Sequence, residues 1–181
     1  CDLWTQNREK AAADCKARFG ADVRQFQYSE QMLGMKDLDA VMIATGDHQH
    51  ALLLRDVVAS GRDCYCEKPM AETVEEAKVA RDAVLGSRQV VQMGSQWLSD
   101  PVQQKVRALV RSGALGRVTK IEQSWNDNNH RWHDPEDPDV RALREEDTDW
   151  KRWLMGRRWR PFDPRVYFEF RIVRDFSGGI T

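Results

Sequence analysis

The stretch Tyr65-Cys66-Glu67-Lys68-Pro69 places a carboxylate and an amine at the end of a short apolar segment, immediately before a proline. In a water-poor site such an ammonium polarises a carbonyl or stabilises a developing alkoxide, and the carboxylate accepts hydrogen bonds from hydroxyls. Pro69 holds Lys68 in extended backbone. The bland alternative is a solvated surface pair worth under about 1 kcal/mol. Two further segment ends of similar character flank it, Thr45-Gly46-Asp47-His48 and Gly94-Ser95-Gln96. If the three segments are parallel strands, their polar ends line one edge of one sheet, where open α/β sheets bind ligands.

The elements that must position these groups are readable from spacing. Residues 5–19 carry Ala11, Ala12, Cys15 and Phe19 at helical intervals, with Gly20 as a stop. Residues 40–44 form an unbroken apolar run, the pattern of a central parallel strand covered on both faces. A helix over 48–60, carrying Leu52, Leu53, Val57 and Val58, ends at Gly61. A strand over 64–66 follows, and Thr73 with Glu76 makes a capping box for a helix over 74–85. Residues 89–93 give another strand. This alternation is that of βα units with right-handed crossovers, half of a doubly wound sheet.

The character changes after Gln96, so the domain boundary falls near Trp97, dividing the chain into 1–96 and 97–181. Asp100-Pro101 is an N-cap and first-turn pair for a helix reaching Ser112, closed by Gly113. Residues 117–125 alternate like a strand with one buried face, 126–148 read as a long loop with Pro135 and Pro138, and 166–172 read as a last strand before Phe176-Ser177-Gly178-Gly179.

Bulk properties narrow the classes of function. The 181 residues carry a net charge of −1, so no long-range field favours nucleic acid or an anionic membrane. The basic run Lys151, Arg152, Arg157, Arg158 and Arg160 is therefore read as a solvated or pairing face. No apolar run reaches the roughly 18 residues of a membrane span. The chain starts at Cys1 with no charged and apolar leader pattern, which reads as a truncated start. Four cysteines form no C-x-x-C pair; Cys64 and Cys66 share one strand face and are read as buried free thiols of a reducing, cytoplasmic compartment. His48 with His50, and His130 with His133, are histidine pairs without a third ligand cluster, so no metal site is expected.

Six of the seven tryptophans lie at Trp97 or beyond. Trp125 with Asn126, Asn128, Asn129, His130 and Arg131 joins a flat ring to amides and a guanidinium, a set suited to a polyhydroxylated substrate. Tryptophans pinning a long loop, or forming a subunit interface, fit the same pattern.

The ordered set Ile43-Ala44-Thr45-Gly46-Asp47-His48-Gln49-His50, Cys66-Glu67-Lys68-Pro69-Met70, Thr73-Val74-Glu75-Glu76-Ala77, Val91-Gln92-Met93-Gly94-Ser95-Gln96 and Ser112-Gly113-Ala114-Leu115-Gly116 resembles the Gfo/Idh/MocA oxidoreductases over residues 1–125. Many relatives have proline where this chain has Gly46. The resemblance implies an α/β fold: a partial Rossmann doubly wound parallel sheet over 1–96, then the start of an α+β substrate and oligomerisation domain with an open antiparallel sheet over 97–181. It implies a chain lacking both the Gly-rich phosphate loop and the catalytic Asp/His region, active only as the intact parent.

The resemblance also implies NAD or NADP as cofactor and hydride transfer to or from a secondary alcohol of a sugar, cyclitol or related polyol. An NAD-dependent glycosidase and a non-catalytic dinucleotide-binding protein are the alternatives of the same fold. Asp2 would receive adenosine ribose hydroxyls, with a helix-start role as its alternative. Thr45, His48 and His50 would touch the dinucleotide; for His50, a buried ring bonded to backbone is the alternative. Glu67 would lie near the nicotinamide or its ribose, Lys68 would be catalytic, Pro69 would follow a cis bond, and Gln96 would touch cofactor or substrate. The implied partners are a sugar-like small molecule and a second copy joined through the second-domain sheet, with no nucleic acid and no membrane.

Overall fold

A computed structural model describes residues 1–124 and 137–179. Strands β1 (Ala40–Ile43), β2 (Asp63–Glu67) and β3 (Val91–Gly94) form one parallel sheet in the order β1-β2-β3. Ile43 pairs with Cys66 and Cys66 with Met93, so the three strands run in step to one end. Because strand side chains alternate, Val41, Ile43, Cys64, Cys66, Val91 and Met93 share a face. That face packs against Ala51, Leu54, Val57 and Val58 of α3 (His50–Ala59) and Ala80 of α4 (Val74–Leu85).

The expectation of a strand covered on both faces is corrected for β1. Among the described residues β1 pairs only with β2, and Met42, on the face away from α3, is 64% exposed. An apolar run signals burial without saying on how many sides.

The helix boundaries follow local chemistry. α1 (Thr5–Phe19) ends where Gly20 takes φ 67°, the left-handed conformation glycine adopts without strain, and its N–H reaches the Lys16 carbonyl. α4 has its capping box: Thr73 Oγ1 accepts from the Glu76 N–H at 3.2 Å, and the Thr73 N–H donates to Glu76 Oε2 at 3.3 Å. The helix expected from residue 48 opens with a 3-10 turn, Asp47–Gln49. A short α2 (Ser29–Leu33) was not anticipated. α5 (Pro101–Arg111) starts at Asp100, whose carboxylate accepts the N–H groups of Val102 and Gln103 at 2.9 and 3.0 Å. No residue of α5 is buried.

Both strands expected in the second half are corrected. Residues 117–124 are irregular, with Ile121 79% exposed; no strand among the described residues offers them a ladder, and an isolated strand is not stable. Residues 166–172 lie in α8 (Pro164–Phe168) and a 3-10 turn (Phe170–Ile172). Asp163-Pro164 is the signal that the alternation obscured: the Asp163 carboxylate accepts the Arg165 N–H at 2.9 Å, and proline suits a first helical turn. Among the described residues there is accordingly no antiparallel sheet. The expected loop over 126–148 contains α6 (Pro138–Ala142) and a 3-10 turn at Glu145–Asp147.

A second core forms around α7 (Trp150–Trp153), where Trp150, Trp153, Leu154 and Phe176 are buried. Trp150 and Trp153 stack at 4.8 Å between centroids, and Phe176 meets Trp153 edge-on at 4.8 Å. Trp4, at the start of α1, packs edge-on against Phe168 at 5.6 Å, joining the chain's beginning to this cluster.

Candidate functional site

The sheet register brings the three polar ends to one rim. Thr45, Lys68 and Ser95 each lie two residues beyond the aligned trio Ile43, Cys66 and Met93. Gly94 shapes this rim by what it lacks: a Cβ there would lie 2.9 Å from the Tyr65 hydroxyl and 3.1 Å from Glu67 Cδ. Its bare backbone leaves space for both side chains to lie across β3. Lys68 is half-buried, and among the described residues no carboxylate lies within ion-pair distance of its ammonium. The Lys68–Pro69 bond is cis, as the resemblance implied. Gln96 is exposed just beyond β3.

The two histidines after β1 are buried, and each has a ring nitrogen against backbone. His50 Nδ1 sits 2.6 Å from the Pro69 carbonyl and Nε2 3.2 Å from the Thr45 carbonyl, which is the backbone-bonded arrangement. His48 lies between the rings of Trp153 and Phe176 with Nε2 2.8 Å from the Trp153 carbonyl. Its Nδ1 is buried without a partner. Burial pushes the His48 pKa down to about 4, the Trp153 carbonyl opposing this and the Arg157 charge adding to it, so the ring is neutral with its proton on Nε2. Gly46 makes this packing feasible, since a Cβ at that position would stand 3.0 Å from the His48 ring. Gln49 Nε2 donates to the same Trp153 carbonyl at 2.8 Å, and Ser177 Oγ donates to the buried Asp47 carboxylate at 2.6 Å.

Beside Thr45 and Gly46 opens a cleft of about 530 Å³, lined also by Asp2, Tyr28, Phe170 and Arg171. Asp2 Oδ1 accepts the Trp4 N–H at 2.8 Å and Oδ2 accepts from Asn7 Nδ2 at 3.3 Å. Asp2 thus both organises the start of α1 and lines the cleft. Thr45 joins it there, whereas neither histidine ring lines the cleft, and Glu67, Lys68, Pro69 and Gln96 lie on the adjoining tips.

Arg157 has a positional role that the sequence did not single out. Its guanidinium binds Glu72 Oε2 at 2.7 Å, Glu76 Oε1 at 2.6 Å and the Asp175 carbonyl at 3.0 Å. Burial works against the charge, but the hydrogen bonds that Arg157 donates to Glu76 and Glu72 outweigh it, and the Arg157 pKa is raised. The Glu76 pKa is lowered: burial opposes this, and the Arg157 contacts prevail. Other members of the basic run also pair, Arg160 with Asp175 at 2.7 Å and Arg152 with Glu30. Only tertiary structure could tell Arg157 from its neighbours.

Cys64 and Cys66 are buried free thiols, and burial pushes their pKa values up to about 11 and about 12, so neither is a nucleophile at neutral pH. Among the described residues no group of three or more His, Cys, Asp or Glu is placed to hold a metal ion. No helix among them is long and apolar enough to cross a membrane. Trp125, Asn126, Asn128, Asn129, His130, Arg131 and His133 lie outside the described residues.

Residues 3–95 match the family described as "Oxidoreductase family, NAD-binding Rossmann fold". Inositol 2-dehydrogenase 2 of Saccharopolyspora erythraea is 28% identical over 121 residues, 66% of this chain and 36% of that protein. Levoglucosan dehydrogenase of Pseudarthrobacter phenanthrenivorans is 29% identical over 119 residues, 64% of this chain and 30% of that protein. The chain thus spans about a third of the length of these relatives.

Among solved structures, a levoglucosan dehydrogenase complexed with NADH and levoglucosan is 30% identical with a TM-score of 0.52, over 60% of this chain and 29% of that one. The WlbA dehydrogenase of Bordetella pertussis, complexed with NADH and UDP-GlcNAcA, is 28% identical with a TM-score of 0.54, over 60% of this chain and 32% of that one. With its family-specific stretch spanning the whole parallel sheet and the rim that the sheet supports, the chain belongs to the Gfo/Idh/MocA oxidoreductases, which have an NAD-binding Rossmann fold.

Proposed function

We propose that the full-length polypeptide carrying these residues transfers hydride between NAD or NADP and a secondary alcohol of a sugar, cyclitol or related polyol. The observation that carries this reading is the register that sets Thr45, Lys68 and Ser95 side by side on one rim, with the Lys68 ammonium free of any carboxylate among the described residues. An ammonium so placed can stabilise an alkoxide as hydride leaves its carbon. The substrate class is supported by the inositol and levoglucosan dehydrogenases that the chain resembles.

The residues present suit a dinucleotide. The Asp2 carboxylate lines the cleft and is the group to accept ribose hydroxyls, while the Tyr28 and Phe170 rings and the Thr45 tip share that cleft. Glu67 and Lys68 are assigned to the nicotinamide end, with Gln96 at the outer margin. The cofactor supplies the hydride acceptor, and the chain supplies orientation and the charge that faces the substrate oxygen. Residues 1–96 act as the nucleotide-binding domain, and 97–181 belong to the substrate side, including Trp125, Asn126, Asn128, His130 and Arg131.

The test is to supply the full-length protein with NAD or NADP and a panel of sugars and cyclitols, following absorbance near about 340 nm. A net rise with at least one polyol is expected. Release of a free sugar without net change would instead indicate a glycosidase cycle, and no reaction together with tight dinucleotide binding would indicate a binding protein.

A further inference from the structure

His50 touches two strand tips at once. Its ring is 1% exposed and begins α3, with Nδ1 2.6 Å from the Pro69 carbonyl and Nε2 3.2 Å from the Thr45 carbonyl. The shorter contact marks Nδ1 as the donor to the Pro69 carbonyl, and the ring sits between this carbonyl and the Thr45 carbonyl at the tip of β1. The Pro69 carbonyl lies one residue beyond Lys68. The lysine side chain is a flexible stem with a point charge at its end, so the place of the ammonium depends on the backbone from which it springs. No other side-chain hydrogen bond is seen to the backbone of Lys68 or Pro69 among the described residues.

We infer that His50 is a positioning residue for Lys68, holding the Lys68–Pro69 backbone against the tip of β1 and so aiming the ammonium at the substrate oxygen. This rests on the role proposed above for Lys68. It differs from a direct contact between His50 and the dinucleotide, because the ring nitrogens point at protein carbonyls and the ring does not line the cleft.

The experiment is a mutant cycle in the full-length protein with a polyol that it turns over. In His50→Leu, kcat falls about 10- to 100-fold, the scale of a misplaced catalytic group, while KM for the dinucleotide changes by less than about twofold. His50→Asn, whose amide nitrogen occupies the Nδ1 position, recovers most of kcat; His50→Gln, whose amide reaches the Nε2 position, does not. Combining His50→Leu with Lys68→Met costs no more than Lys68→Met alone, because His50 acts through that lysine.

Multiplicative losses in the double variant, or a raised dinucleotide KM with kcat intact, would overturn the inference. Should His50→Leu fail to fold, the Asn and Gln variants carry the same test, and equal kcat in both would overturn it. Full activity in Lys68→Met would remove the functional reading itself, a result distinct from failure at His50.

Discussion

The strand-tip half of the molecule and the aromatic half are held together by different physics. Residues 40–94 rest on a parallel ladder and a core of alternating strand side chains under α3 and α4, where Leu54 and Cys66 are fully buried. Residues 150–177 have no sheet; stacked and edge-on rings around Trp153 and Phe176 form their core. The two meet at the turn Asp47–Gln49, where His48 and Gln49 reach the Trp153 carbonyl, and at Arg157, which reaches Glu72 and Glu76. A ladder fixes which atoms arrive at the rim. From the aromatic half, Arg157 binds Glu72 in the loop after Lys68 and Glu76 in the first turn of α4.

The largest expected effect falls on the ladder half. Leu54→Ala leaves a cavity under the sheet and costs about 2–5 kcal/mol in urea unfolding. Because the halves are joined through His48 and Arg157, far-UV and tryptophan near-UV signals are expected to move to the same lower midpoint. Loss of the far-UV signal with the aromatic signal unmoved would show that the halves are independent.

The junction itself titrates. His48 has a folded pKa of about 4 against 6.5 when exposed, so between those values the unfolded chain takes up a proton that the folded chain does not. Stability is therefore full above pH 6.5 and falls as pH drops toward 4, by about 3 kcal/mol for this residue. In His48→Phe that part of the slope disappears; an unchanged slope would place the titration elsewhere. A smaller loss is expected at the second junction, where Arg157→Met leaves the Glu72 and Glu76 carboxylates unpaired and costs about 1–3 kcal/mol, to be read from thermal unfolding at neutral pH. A change below about 0.5 kcal/mol would show that the pair contributes only as a surface contact.

The ladder half was far more legible in the sequence than the aromatic half. Apolar runs, Gly20 and the Thr73–Glu76 box are local signals, and each became the element expected of it, within a few residues at the ends. Convergence of Thr45, Lys68 and Ser95 followed from treating the strands as parallel, which they are. Residues 166–172 misled because alternation of bulky and polar side chains over so few positions also fits two short helical turns, and the Asp163 cap decides between them. The roles of His48, His50 and Arg157 depend on carbonyls and carboxylates between 5 and 105 positions away, contacts that no spacing rule reaches.

The most direct measurement of the central claim is hydride transfer by Lys68→Met in the full-length protein, with dinucleotide affinity measured alongside. Removal of an ammonium aimed at the reacting oxygen is expected to lower kcat by about 10²–10³-fold and to leave dinucleotide affinity within about threefold. Wild-type kcat in that variant would contradict the account.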